Sequence, residues 1–409
     1  MPLNQTGPAR QRTALDRPSL LDKCRSFTRA EQLKDAGLYA YFRPLSSAQG
    51  PEVVYRGRRL IMMSSNNYLG LSTHPAVQRA AGLAINRYGT GCSGSRLLNG
   101  TLDLHEQLEE KLAEHLGKEA AVVWPTGFQA NLGIVSALTS RDDLVVIDKM
   151  DHASIYDGSR LSFAKVRKFR HNDLADLERI LFAERDRPAL VMVDGVYSME
   201  GDLADLPGLV DLCRQYGATL AVDDAHGIGV LGDGGRGTAH HFGLENEVDI
   251  LAGTFSKSLA SIGGYAAGKA EVIDFLKHNA RSLIFSASLP PASAAAALTT
   301  LDLISREPHH RARLWSNTHY FFEGLEALGF DTGPTQSPII PILVGDEEKT
   351  LTMWRRLFDA GVFTSPILYP AVPRGMAMIR TSCMATHTDR QLECALTKIE
   401  RIGREMGLI

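Results

Sequence analysis

Five short apolar runs punctuate the middle of the chain: "AAVVW" (120–124), "DLVVID" (143–148), "ALVMVD" (189–194), "TLAVDD" (219–224) and "DILAGTF" (249–255). Their apolar residues are consecutive rather than alternating, the pattern of strands covered on both faces. Polar, helix-forming stretches such as "DLADLERILFAERD" separate most of them. Strands divided by helices predict an α/β fold with a mainly parallel sheet and helices on both sides. Upstream, "DLHEQLEEKLAEHLGK" sets leucines at 104, 108, 112 and 116, an i, i+4 stripe that predicts an amphipathic helix stopped by Gly117. Another helix is expected after Thr73, with Pro75 in its first turn, and another over Leu20 to Lys34. "EVVYRGRRLIMMSS" predicts two strands joined by a turn at Gly57. Residues 1 to about 18 read as a disordered segment or an arm.

The pattern changes after "SLPPASAAAALTTLDLI" (288–304). A long helical stretch precedes "SPIIPILVG", "GVFTSPILYPAVPRG" and "MAMIRTSC", which predict the strands of a smaller α+β unit. Its last helix is expected near Thr388, where Thr388 and Gln391 fit a capping box. The division expected is an N-terminal arm with a small-domain segment (1–60), a large domain (61–300) and a C-terminal small domain (301–409). No internal repeat is visible.

Composition changes this picture little. At 409 residues, 44% hydrophobic and 22% charged, the chain has the make-up of an ordinary globular protein with two structural units. A formal net charge of −3 provides no field for nucleic acid or an anionic membrane. The basic cluster Arg56, Arg58 and Arg59 reads as a solvated turn. The five scattered cysteines include no CxxC pair, so neither disulfides nor a thiolate zinc site is expected, and no metal is. The first residues carry no apolar stretch of the secretory kind, and no run approaches the ~20 apolar residues of a membrane span. A cytoplasmic location is expected.

Unusual polar residues gather at the carboxyl ends of the expected strands, where open parallel sheets bind ligands. In "GTFSKSLASIGGY" a lysine, Lys257, follows a strand, flanked by Thr254 and Ser256. Desolvation there would lower its pKa and free the amine to react with an aldehyde cofactor; an exposed loop lysine is the alternative. Asp223 ends the strand of "AVDDAHGIGVLG", ahead of His226. A buried carboxylate needs a cation, such as a protonated pyridine nitrogen, unless it caps a helix. Thr126, Gly127 and Phe128 in "WPTGFQANLG" stand at a strand-to-helix turn, where amide groups and a small residue suit an anion. His152 in "DHASIYDG" could stack on an aromatic ring, and Ser198 in "VYSMEGD" could bond a ring substituent. Arg380, amid apolar "MAMIRTS", needs an anion: a substrate carboxylate or an internal ion pair.

The order of these segments resembles the α-oxoamine synthase family of fold-type I pyridoxal-phosphate (PLP) enzymes. The matching text is "SSNNYLGLSTHP", "YGTGCSGSRLLNGT", "TGFQANLG", "DHASIYDG", "VYSMEGDLADL", "VDDAHGIGVLG", "GTFSKSLASIGGY" and "IFSASLPP", and the likeness runs from Phe42 to the C-terminus. The resemblance implies the aspartate aminotransferase-like fold. It implies Lys257 as the PLP lysine and acid/base at Cα, Asp223 as the pyridine partner, His152 as the stacking residue, and His226 at the phenolic oxygen with Ser198 nearby. Gly127, Phe128, Thr254 and Ser256 match phosphate-side positions. Ser286 matches a phosphate contact from a second subunit, which implies a homodimer with shared sites. Asn66 and Arg380 match positions that hold the substrate carboxylate.

The activity implied is a decarboxylative condensation of serine, glycine or alanine with an acyl-CoA or acyl-carrier-protein thioester. "GTGCSGSRLLNGT", "HASIYDG" and "ARLWSN" most resemble the bacterial members that join serine to a long acyl chain. "LYPAVPRG", with Leu368 where those carry an arginine, is closer to glycine-using members, and Asp224 stands where glutamate is usual. Alternative readings are transamination on the same fold and a non-catalytic partner subunit. Subunits of the latter kind lack the lysine that is present here.

Overall fold

The computed structural model describes residues 19–409; the arm expected over residues 1 to about 18 lies outside the described residues. Residues 19–42 form a unit of their own. The single helix expected over Leu20 to Lys34 is two short ones, Asp22–Arg25 and Arg29–Asp35, neither with a buried residue. Leu20, Leu21 and Phe27 are exposed, so no burial holds a long helix together here, and helix formation in water is marginal at this length.

Residues 43–409 form the second unit. Its strands are β1 (Glu52–Tyr55), β2 (Arg58–Met62), β3 (Ala120–Trp124), β4 (Leu144–Asp148), β5 (Lys165–Phe169), β6 (Ala189–Asp194), β7 (Thr219–Asp223), β8 (Ile250–Thr254), β9 (Gly264–Gly268), β10 (Ile339–Gly345), β11 (Val362–Phe363), β12 (Ser365–Ile367) and β13 (Ala377–Ser382). The longer helices are α1 (Pro75–Tyr88), α2 (Asp103–Leu116), α3 (Gly127–Leu138), α4 (Ala153–Leu161), α5 (Leu174–Ala183), α6 (Leu206–Tyr216), α7 (Ala270–Asn279), α8 (Pro291–Arg306), α9 (His309–Leu328), α10 (Glu347–Asp359) and α11 (Asp389–Glu405).

The main sheet runs β3-β9-β8-β7-β6-β4-β5. Neighbours from β8 to β5 are parallel, and β9 is antiparallel to both β3 and β8. The five expected strands are all present, and two more complete the sheet. β5 reads KVRKF; its lysines and arginine sit on the sheet edge, where charge discourages pairing with another chain. β9 reads GYAAG and is buried throughout. It lacks the β-branched residues that mark strands, and its glycine has a packing reason given below.

The core lies between the sheet and its helices. Trp124, Val145, Ile147, Met192 and Ala252 pack against Ile134 and Val135 of α3, Ile155 of α4 and Leu276 of α7. All four leucines of the α2 stripe are buried, and Gly117 ends that helix in the left-handed conformation. The turn between β1 and β2 has positive φ at both Arg56 (47°) and Gly57 (77°), the hairpin geometry that favours glycine. Two smaller sheets follow, β10-β13-β12 and β1-β2-β11. In the latter, β2 pairs in parallel with β11, so a segment near residue 61 is joined to one near residue 362. Thr388 and Gln391 form the expected capping box of α11.

Candidate active site

Five strand ends converge on a cavity of about 350 Å³. β3 delivers Thr126, Gly127 and Phe128; β4 is followed by His152 and Ser154; β6 supplies Asp194 and leads to Ser198. β7 supplies Asp223 and His226, and β8 supplies Thr254, Ser256 and Lys257. The strands are parallel, so their carboxyl ends share one edge and these residues meet there.

One wall is the turn between β3 and α3, whose free amide groups suit an anion. Thr126 caps α3 by accepting a hydrogen bond from the Gln129 amide at 3.1 Å. The first amide groups of α3 have no intrahelical carbonyl to meet. Gly127 is required by space: a Cβ there would sit 2.8 Å from Thr254 Cβ and 3.0 Å from its hydroxyl. A Cβ on Gly264 would sit 2.5 Å from Gly127 Cα, so β9 needs glycine where it passes under this turn. Thr254 donates to the Gly263 carbonyl at 2.9 Å and lies 2.9 Å from Ser256 Oγ. Ser286 lies beside this wall, accepting from Gln129 Nε2 at 3.0 Å, but does not line the cavity.

Lys257 stands half-buried in the turn after β8. That turn is tight: the Ala260 amide donates to the Lys257 carbonyl at 3.1 Å, and Ala260 itself has φ +54°. Burial lowers the Lys257 pKa to about 8, with Arg380 pulling the same way and Asp223 and Asp194 opposing. Asp223 is buried, accepting from Asn131 Nδ2 at 2.6 Å and from the Ala225 amide at 3.0 Å. Asn131 also donates to Ser154 Oγ at 2.8 Å, which in turn lies 2.7 Å from His152 Nδ1. Burial lowers the His152 pKa, with Lys257 acting the same way and Asp223 against. His226 is driven well below its ordinary value, by burial first and then by Lys257, Arg380 and His152, so its ring is neutral. Its Nδ1 lies 2.7 Å from the Tyr68 hydroxyl.

Arg380, in β13, is buried. It donates from Nε to the Ser198 carbonyl at 2.6 Å and from Nη2 to Asn66 Oδ1 at 3.0 Å. Among the described residues no carboxylate pairs with it, so the internal ion pair is not what is found. Asn66 and Arg380 lie outside the cavity lining proper. The Tyr68 hydroxyl connects them to it, 3.3 Å from Asn66 Oδ1 and 2.7 Å from His226.

Beneath the Ser198 segment, His171 bridges two carboxylates, Asp148 at 3.0 Å and Asp202 at 2.9 Å. Burial alone would lower its pKa, but hydrogen bonds to Asp148 and Asp202 dominate and raise it to about 10. Its ring meets Tyr197 edge-on at 4.4 Å.

The sequence reading passed over Asn131, Asp194, Tyr68 and His171. Asn131 carried a signal, because an asparagine inside a helix disfavours that helix unless its side chain has work elsewhere. Asp194 ends "ALVMVD" as Asp223 ends its own strand. Tyr68 and His171 had no local mark.

Residues 58–399 match the family model described as aminotransferase class I and II. A serine palmitoyltransferase from Sphingobacterium spiritivorum is 50% identical over 392 residues, 96% of this chain and 98% of that one. An 8-amino-7-oxononanoate synthase from Thermoanaerobacter pseudethanolicus is 44% identical over 381 residues, 93% of this chain and 96% of that one. The solved serine palmitoyltransferase of Sphingomonas wittichii superposes with a TM-score of 0.93 at 37% identity, covering 96% of this chain and 100% of its own. A solved serine palmitoyltransferase with a PLP internal aldimine gives 0.93 at 36% identity over the same shares. With this fold, these strand-end residues and these relatives, the chain belongs to the aminotransferase class I and II family, and its α-oxoamine synthase likeness extends over nearly its whole length.

Proposed function

We propose that this chain is a PLP-dependent acyltransferase that joins a small amino acid, serine first among the candidates, to an acyl thioester with loss of carbon dioxide. The observation that carries the reading is the pairing within one cavity of an amine lowered to about 8 with a buried carboxylate, Lys257 and Asp223, beside the turn between β3 and α3. The donor set fits the cofactor. Lys257 Nζ would take its aldehyde, Asp223 its pyridine nitrogen, and the Thr126–Phe128 turn with Thr254 and Ser256 its phosphate. His152 would lie against the ring, and neutral His226 with Ser198 would meet the phenolic oxygen. When bound, the cofactor supplies an electron sink for the Cα electron pair.

The remaining work falls to the chain's own side chains. Arg380 and Asn66 hold the amino acid's carboxylate; a buried guanidinium without a counter-ion is built to receive one. Lys257 Nζ removes the Cα proton and returns a proton to that carbon after carbon dioxide has left. It is suited to both, since a base with a value near the working pH transfers protons efficiently in either direction. In the net reaction a bond forms between Cα and the acyl carbonyl, the thiol departs, and the carboxylate leaves as carbon dioxide.

Serine is favoured by the serine palmitoyltransferases at 46–50% identity over 95–96% of the chain. The 8-amino-7-oxononanoate synthases at 43–47% keep alanine as a second candidate, and the Leu368 loop keeps glycine as a third. Coenzyme A is the proposed thiol, with a carrier protein as the alternative. We further propose a homodimer with shared sites. Leu98 (80% exposed) and Phe285 (73% exposed) support it, since a bridge between Ser95 and Ala287 brings their segments together into an apolar surface that a second copy would cover. The domain boundaries at residues 60 and 300 and a cytoplasmic location belong to the same proposal. They are supported by the placing of the large sheet within 120–268 and by five free cysteines.

The test incubates purified protein and PLP with serine, glycine or alanine and a long-chain acyl-CoA, measuring free thiol and carbon dioxide. One amino acid should release both in equal amounts, and Lys257→Ala should release neither. Amino-group transfer without thiol release would move the chain to the transaminases. Failure to bind PLP would revive the partner-subunit reading.

A further inference from the structure

His74, Glu307 and His310 stand together away from the cavity, all half-buried. His74 caps α1 at the end of the "SSNNYLGLSTHP" segment that carries Asn66 and Tyr68. Glu307 closes α8, and His310 is in the first turn of α9. Each residue offers one ligand atom, and these atoms all lie within 4.8 Å of one another. His310 Nε2 already touches Glu307 Oε2 at 3.0 Å, and the rings of His74 and His310 meet edge-on at 6.1 Å.

We propose that these three residues bind a divalent transition-metal ion, zinc in the first instance. Two imidazoles and one carboxylate form a ligand set that zinc accepts, with bonds of about 2.0–2.2 Å. Such bonds place tetrahedral ligand atoms about 3.3 Å apart, so side-chain movements of about 1 Å complete the triangle. The fourth position falls to water. Binding exchanges weak interactions for coordinate bonds. At His310 it replaces the direct contact with Glu307 by a shared ion.

The position gives the ion a structural role. It would clip the corner between α8 and α9 to the start of α1, a few residues downstream of the proposed carboxylate-binding Asn66. The set was invisible in the chain because His74 is more than 200 residues from Glu307, and only Glu307 and His310 share a local i, i+3 spacing. This site is independent of the proposed reaction and can fail without it.

The experiment is calorimetric titration of zinc chloride into chelator-treated holoenzyme, with cobalt(II) as a spectroscopic substitute. Wild type should take up one ion per chain at this site, and cobalt should show visible bands in the same stoichiometry. Glu307→Gln and His310→Ala should each weaken binding at least about tenfold, while His278→Ala, an exposed surface histidine, should leave it unchanged. The cofactor's absorbance should not change on adding zinc, which separates this site from His152. No saturable uptake by wild type would overturn the proposal, as would binding that survives both ligand substitutions in folded protein. Should both variants fail to fold, wild-type cobalt spectra without the bands of nitrogen and oxygen ligation would overturn it.

Discussion

With Lys257 as the proposed cofactor lysine, the apoprotein leaves its amine open to titration, and its response to pH can be worked out from the site. An ordinary lysine at 10.5 is about 0.03% free amine at pH 7. Lowered to about 8, Lys257 is roughly one part in ten free at that pH, a gain of about 300-fold. Recapture of PLP by the apoprotein, followed by stopped-flow absorbance between pH 6 and 10, should therefore rise about tenfold per pH unit and level off near pH 8. Lys257→Ala serves as the zero. The sign at Asp223 is fixed as well. Its negative charge favours the ammonium form, so Asp223→Asn should move the midpoint below 8. Stability follows the opposite logic from a paired lysine. Because the folded value lies below the unfolded one, the unfolded chain binds more protons between pH 8 and 10.5, and apoprotein stability should climb through that window. A midpoint at or above 10, or an upward shift in Asp223→Asn, would refute the desolvated-amine account.

Three further outcomes are expected. Arg380→Lys keeps the charge but loses the planar fork that holds Ser198 and Asn66, so the amino-acid KM should rise roughly 10- to 100-fold, with little change in cofactor absorbance. Gly127→Ala forces a methyl to within 2.8 Å of Thr254 Cβ; the fold should survive with a loss of about 1–3 kcal/mol, while PLP dissociation measured by equilibrium titration should weaken at least about tenfold. His171→Gln should cost about 3 kcal/mol at pH 7 in denaturant unfolding, by leaving Asp148 and Asp202 without their cation. Since the folded value of His171 is raised to about 10, its contribution is full below about pH 6.5 and is lost as pH rises through 10, so the variant and wild type should converge there.

Much of the molecule was legible because its physics is local. Buried parallel strands need unbroken apolar runs, and the five runs became β3, β4, β6, β7 and β8. The strand-end residues Lys257, Asp223, His226 and His152 line one cavity because parallel strands bring their ends to one edge. What escaped depends on contacts across the fold. β9 carries glycine at both ends because the Thr126–Gly127 turn crowds Gly264 and the Asp249 carbonyl crowds Gly268, so it lacks the signature of a strand. β5 is charged because it is an edge. The chain Arg380–Asn66–Tyr68–His226 joins residues more than 300 positions apart, and no spacing rule reaches that far.

The parallel pairing of β2 with β11 has a bearing on how the chain is made. A ribosome releases residues 120–268 well before residue 362, so all seven strands of the main sheet are available while β2 still lacks its neighbour. Loop closure over about 300 residues has to wait for β11 and joins the smallest of the sheets. Asn66 follows β2, and Arg380 follows β11. The clamp proposed for the amino acid thus needs residues from both ends of this closure, whereas the seven strands that position Lys257 and Asp223 all lie within 120–268. On that order of synthesis the residues of the proposed cofactor pocket leave the ribosome before those of the proposed clamp, and PLP bound at that stage would stabilise the first ahead of the second.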